Sequence, residues 1–108
     1  MATAPKSQVL RRISGLVAYQ EGSVVSRQIT KADAGNVTLF AFDVGQELNE
    51  HTAPFDALAH ILEGEAEFHI SGQPYTLIAG DAIIMPANEP HAVKATKQFK
   101  MLLTMVKS

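Results

Sequence analysis

Apolar residues along this chain fall into short runs with a period near two, broken at frequent intervals by glycine, proline or small polar residues. Residues 24–30 are rich in β-branched side chains, and Ala34-Gly35-Asn36 after them reads as a turn. Residues 37–44 make a second strand, closed by Gly45. Residues 58–62 and 66–70 give two more, and Glu63-Gly64-Glu65 between them predicts a tight reversal. Ser71-Gly72-Gln73-Pro74 turns the chain into residues 75–79, and Gly80-Asp81 turns it again into 82–85. Residues 91–94 and 99–106 complete the set. A 3.6-residue period is found only weakly, over 7–16, where one short helix is expected. Short strands at turn-marked spacings predict an all-β barrel or sandwich.

Alternation then assigns faces, because successive strand residues point to opposite sides. Counting from Ala57, residues Ala59, Ile61 and Glu63 face inward, while Leu58, His60 and Leu62 face out. Phe68 and Ile70 take the core and leave His69 to solvent. Phe40, Phe42, Phe55 and Phe68 read as barrel fillers, and Met85, Met101 and Met105 as adaptable core. Two strands, 58–62 and 101–106, are mostly apolar on both faces. A barrel needs only its inner face apolar, so the outer face calls for a cover. The expectation is a second copy of the chain, in a homodimer, with strands of the chain's own second sheet as the alternative cover.

Length and composition narrow the picture. At 108 residues the chain makes one domain, expected as a flexible N-terminal arm over 1–8 and a folded unit over 9–108. An apolar fraction of 46% beside 19% charged residues is that of a soluble globular protein. A net charge of −2 gives no electrostatic footprint for nucleic acid. The start lacks the apolar core of a signal peptide, and no apolar run reaches membrane-spanning length, so a cytoplasmic protein without a membrane partner is expected. The absence of cysteine excludes disulfides, thiolate metal sites and a cysteine nucleophile.

Two glycine-led segments carry the chemistry. The first runs Gly45-Gln-Glu-Leu-Asn-Glu-His51 and closes at Glu63-Gly64; the second runs Gly80-Asp-Ala-Ile-Ile-Met-Pro86 and reaches His91 through Ala-Asn-Glu-Pro. This skeleton resembles the two motifs of the cupin family, over roughly residues 24–106. The wording around it is similar to a bacterial subgroup of small single-domain cupins without an assigned reaction. The stretches His51-Thr-Ala-Pro-Phe-Asp-Ala57, Met85-Pro-Ala-Asn-Glu-Pro-His91-Ala-Val-Lys-Ala95 and Phe99-Lys-Met-Leu-Leu-Thr-Met105 carry that likeness. The resemblance implies an all-β double-stranded β-helix, an RmlC-like jelly-roll barrel with its site in the open mouth. Asn88 and Ala95 stand where glycine and asparagine are common. In the first motif His51 holds the first ligand position, but Ala53 holds the second and Ala57 the acidic or histidine one.

His51 and His91 are therefore the candidate ligand-binding residues, with Phe55 and Met85 beside them. They are also candidate ligands for a divalent metal (Fe, Mn, Ni or Zn), with Asp56 or Glu47 as carboxylate candidates and Glu50 as a further one. A bound metal usually takes three or more protein ligands, and a non-haem Fe(II) oxygenase wants two histidines and one carboxylate. Asp56 lies one residue from the family's ligand position, so a regular strand points it away and only a bulge near Pro54 would re-aim it. Three functions compete. One is a pocket for a small organic molecule anchored by His51 and His91. Another is a metal-dependent oxygenase or isomerase acting on such a molecule. The last is a structural dimer with a degenerate site. Histidine at both motif positions weighs against the last, and the two alanines weigh against the second.

Overall fold

The computed structural model describes residues 12–107. After a single 3-10 turn, Ile13–Leu16, seven strands follow. They are β1 (Val24–Ala32), β2 (Gly35–Phe42), β3 (Glu47–His51), β4 (Phe55–Ile70), β5 (Gln73–Ile78), β6 (Ala82–Met85) and β7 (His91–Lys107). All pairings are antiparallel, in the order β1-β2-β7-β4-β5, with β3 added to β7 and β6 to β4. The first half of β4 and the second half of β7 belong to one face of the barrel, with β1, β2 and β6. The other halves belong to the second face, with β3 and β5. This is the double-stranded β-helix expected from the motifs. Of the helix expected over 7–16, the described part is the 3-10 turn Ile13–Leu16; residues 7–11, like the arm over 1–8, lie outside the described residues. Among the described residues no helix is long and apolar enough to cross a membrane.

The predicted reversal at Glu63-Gly64-Glu65 does not occur. Residues on both sides of it pair with the same strand, Ile61 with Met101 and Ala66 with Ala95, so β4 runs straight on from one sheet into the other. The glycine serves the crossing instead. Gly64 has φ +83, and a Cβ there would land on the Gln98 carbonyl oxygen. Register shifts occur on either side of it, between Ile61 and Glu63 and between Gly64 and Ala66. They invert the alternation: the odd-numbered buried positions give way to even ones, and Ala66 and Phe68 are the buried residues beyond the crossing.

 Before it the odd residues Ala57, Ala59 and Ile61 are buried, so the shift carries Glu63 from its expected inward place to the outer face. There its carboxylate accepts a hydrogen bond from the Tyr19 hydroxyl at 2.7 Å and lies 3.9 Å from the Lys100 ammonium. Burial, then that hydrogen bond and the carboxylate charge, hold the Tyr19 phenol well above its ordinary range.

The inner core runs from Phe42, Phe68 and Phe99 to Ala57, Met85 and Met101, with the Phe42 and Phe99 rings stacked at 4.5 Å. A second cluster lies on the outer face: Leu39, Ala41, Leu62 and Leu102 under Leu16, Val17 and Tyr19. Part of the doubly apolar sheet is thus covered by the chain's own N-terminal segment, which anchors itself through Ser14, whose carbonyl accepts from Lys100 at 2.7 Å. The rest stays open, with Leu58, Ile84 and Val106 exposed.

Candidate functional site

His51 ends β3 and His91 begins β7, and the two face each other in register. The loop before His91 is tied at several points. Ala87 N–H donates to the Asp56 carboxylate at 2.9 Å, and Asn88 N–H donates to the Ala53 carbonyl at 2.8 Å. The Glu89 carboxylate accepts from the Ser71 hydroxyl at 2.8 Å, and the Pro90 carbonyl accepts from Ser71 N–H at 2.8 Å. Asn88 has φ 65, a left-handed conformation that asparagine tolerates better than most residues, so it can stand where glycine is common. The loop holds His91 as a fixed wall of the site.

The two rings meet edge to face, centroids 4.2 Å apart, with Nε2 to Nε2 at 3.1 Å. Each Nδ1 lies against a backbone carbonyl, Asn49 at 2.9 Å for His51 and Glu89 at 3.3 Å for His91. A carbonyl oxygen only accepts, so each of these carbonyls is satisfied by a neutral ring that carries its proton on Nδ1. Both Nε2 atoms then turn lone pairs toward each other, and the short contact between them is satisfied only by a proton or another electrophile. His91 is buried and His51 exposed. Burial first, then the neighbouring His51, hold the His91 pKa below its ordinary value, against a smaller opposing effect of the Glu89 carbonyl.

Behind the pair lies a cup of about 60 Å³, lined by His51, His91, Phe55, Ala57, Met85 and Met105 with Leu48, Ala53, Val93, Met101 and Leu103. His51, His91, Phe55 and Met85, all singled out from the sequence, come together here. The carboxylate candidates do not join them. Asp56 is on the far face of β4 and spends its carboxylate on Ala87 N–H. Glu47 and Glu50 line a separate groove with Glu67 and His69, whose imidazole is 3.2 Å from the Glu67 carboxylate. The regular strand from Phe55 to Ala59 is the reason: no bulge falls between Asp56 and Ala57. His60 is exposed on the outer face. The sequence reading underrated Met105, which its alternation with Leu103 on an apolar strand already aims inward.

A family metal can be tested against this donor set. Two nitrogens that share an ion at about 2.0–2.1 Å stand close to 3.1 Å apart when the angle between them is roughly 100°. That much fits. A third hard donor does not: among the described residues no group of three His, Cys, Asp or Glu side chains converges. Ala53 and Ala57 offer only methyl groups where the family places further ligands. The residues present do not fit a resident Fe, Mn, Ni or Zn ion of the usual three-ligand kind.

The family profile for a cupin domain matches residues 38–107. No match is found among curated proteins. Of the solved structures, the chain is similar to a conserved protein of unknown function from Streptococcus pyogenes, with 35% identity over 92% of this chain and 87% of that one and a TM-score of 0.88. It is also similar to a cupin superfamily protein from Desulfitobacterium hafniense (29% identity, 89% and 88% covered, TM-score 0.86). A conserved barrel domain protein from Leptotrichia buccalis is 40% identical with a TM-score of 0.85; the match covers 88% of this chain and 46% of that larger one.

Proposed function

We propose, from the premise that this chain belongs to the cupin family, that the cup behind His51 and His91 binds a small organic molecule carrying a hydroxyl or similar hydrogen-bond donor. The observation that carries this reading is the pair of Nε2 atoms converging at 3.1 Å over an otherwise apolar cup. With both rings protonated at Nδ1 these are acceptors, His91 buried and His51 at the exposed mouth, and they favour a guest that brings its own O–H or N–H. Size limits the guest further. A cup of about 60 Å³ admits only a small guest. Larger guests require Met105 or Phe55 at the mouth to move. The test is a titration of labelled full-length protein with ethanol, hydroxyacetone and acetaldoxime, following the imidazole resonances. Saturable shifts at both rings, abolished in His91→Ala, support the reading. Shifts that are absent, or that persist in His91→Ala, refute it.

The metal-dependent oxygenase or isomerase reading finds its two histidines here but, among the described residues, no converging carboxylate. A homodimer has a specific observation in its favour. The outer row Ile84-Leu58-Thr104-Val37-Thr30, read across five strands, carries no charge. Ile84 and Leu58 form a ridge at one side, and at the other a shallow groove of about 250 Å³ is lined by Thr30, Ala32, Gly35, Val37, Thr104 and Val106. Ridge and groove on one face are what a two-fold pairing of identical copies requires. Five strands about 4.8 Å apart and five residues of about 3.4 Å each span roughly 24 by 17 Å, enough for the apolar centre of an interface of about 800 Å² per copy. Sedimentation equilibrium should give a dimer that Ile84→Glu with Leu58→Glu converts to monomer; a monomeric parent chain ends this reading.

A further inference from the structure

The cross-strand register supplies donors where the family's carboxylate is missing. Ala57 holds that position, and its direct neighbours across the sheet are Met85 on β6 and Met105 on β7. Residues directly opposed in a sheet keep their Cβ atoms about 4.5–5.5 Å apart. Two flexible thioethers therefore flank the space that the small Ala57 side chain leaves free. Both line the same cup as His51 and His91. Met85 is almost fully buried, and Met101 lies deeper, opposite Ile61. The soft donors lining the cup are thus two imidazole nitrogens and three thioether sulfurs, of which those of Met85 and Met105 flank Ala57, and no carboxylate lines it.

Ligand softness decides which ion suits such a set. Carboxylates and water suit hard divalent ions, whereas thioethers select Cu(I). We propose that the cup is a Cu(I) site, in which the Nε2 atoms of His51 and His91 and the thioethers of Met85 and Met105 hold one monovalent copper ion. The ion takes the place between the facing lone pairs that would otherwise need a proton. All four donors are neutral, so the charge brought into the cup is a single positive one, smaller than a divalent ion would bring with the same ligands. The inference rests on the reading of the cup as a binding site, and it names an occupant beyond the organic guest.

The test is an anaerobic titration of the full chain with Cu(I) held by a chromophoric chelator, run beside Zn(II) and Mn(II). The expected result is one equivalent of Cu(I) taken from the chelator, with at least a hundredfold preference over Zn(II). Affinity should fall at least tenfold in Met85→Leu with Met105→Leu, and further in His51→Ala. Methionine to leucine nearly conserves volume, so the barrel stays folded, and the amide spectrum of the variant verifies this. With Ag(I) as a diamagnetic probe, the methyl resonances of Met85 and Met105 should shift together with the imidazoles. Cu(I) affinity unchanged in the folded methionine double variant, or no greater than that for Zn(II), overturns the proposal. Hydroxyl compounds that bind while Cu(I) does not remove the copper site alone; failure of both removes the cup as a binding site.

Discussion

Gly64 and Gly45 make a matched pair for testing how β4 crosses between the two sheets. Both hold nearly the same left-handed backbone, φ +83 and φ +82. Alanine at either position incurs the conformational cost of that region, about 1–2 kcal/mol. They differ in what a new methyl meets. At Gly45 nothing lies within 4 Å, whereas at Gly64 the methyl falls on the Gln98 carbonyl oxygen and within 2.7 Å of the Phe99 Cα. The obstacle is the backbone of β7, which cannot swing aside as a side chain can. Overpacking of this kind adds about 1–3 kcal/mol or more. Gly45→Ala should therefore cost about 1–2 kcal/mol, and Gly64→Ala about 2–5 kcal/mol. Against a domain stability of about 5–15 kcal/mol, the second loss is a large fraction of the whole. Urea unfolding followed by circular dichroism gives both numbers, with the slope of the transition reporting whether the unfolded state has changed. Equal losses in the two variants would show that the crossing yields freely, and the account of Gly64 as the fixed point of the strand shift would fail.

Three further outcomes are expected. His91 has a folded pKa below the ordinary 6.5, so the unfolded chain binds more protons in the window beneath that value. Its contribution to stability is then whole above pH 6.5 and declines as pH falls through the folded value; urea midpoints between pH 8 and 5 should drop, and His91→Gln should flatten the drop. A slope unchanged in that variant would assign the effect elsewhere. Ala57→Asp places a carboxylate beside the two Nε2 atoms and should raise Zn(II) affinity by at least roughly tenfold in a competition titration, because it completes a three-ligand set; no gain would mean that Ala57 does not look onto the pair. Tyr19→Phe removes the hydrogen bond to Glu63 and should cost about 1–2 kcal/mol in urea unfolding, and a neutral result would show that the N-terminal cover is held by its apolar contacts alone.

The fold was legible because the turn residues that end strands also mark its motifs. Gly45, Gly72 and Gly80 have φ of +82, +80 and +93, so the glycines that punctuate the sequence occupy backbone that other residues avoid. Gly64 misled for the same reason. Its left-handed backbone looks like a reversal in sequence, but the close approach of β7 gives it a different use, and only the pairing of both flanks with one strand reveals it. The inward and outward assignments held from Ala57 to Ile61 and failed at Glu63, one residue past the first register shift. A period of two has no memory across a bulge.

The site divides along the same line. The positions of His51 and His91 could be read from the sequence because each follows a motif glycine, Gly45 or Gly80, at a set offset, with Pro86 between in the second case. Strand alternation also places Asp56 on the opposite face from Ala57, and the regular pairing there leaves no bulge to re-aim it. What replaces a missing ligand on a sheet is set laterally, by residues on neighbouring strands that the chain order keeps far apart. From the sequence Met105 reads as adaptable core, and Met85 as core and as a candidate beside the histidines; both line the cup. Their meaning changes when Ala57 brings them to the two sides of one small residue, facing two imidazoles with no acid in reach. The loss of the carboxylate and the presence of the methionines are then one fact about the donor set. Under the copper proposal, a cup with two histidines, thioethers and no carboxylate would prefer a soft monovalent ion to a hard divalent one.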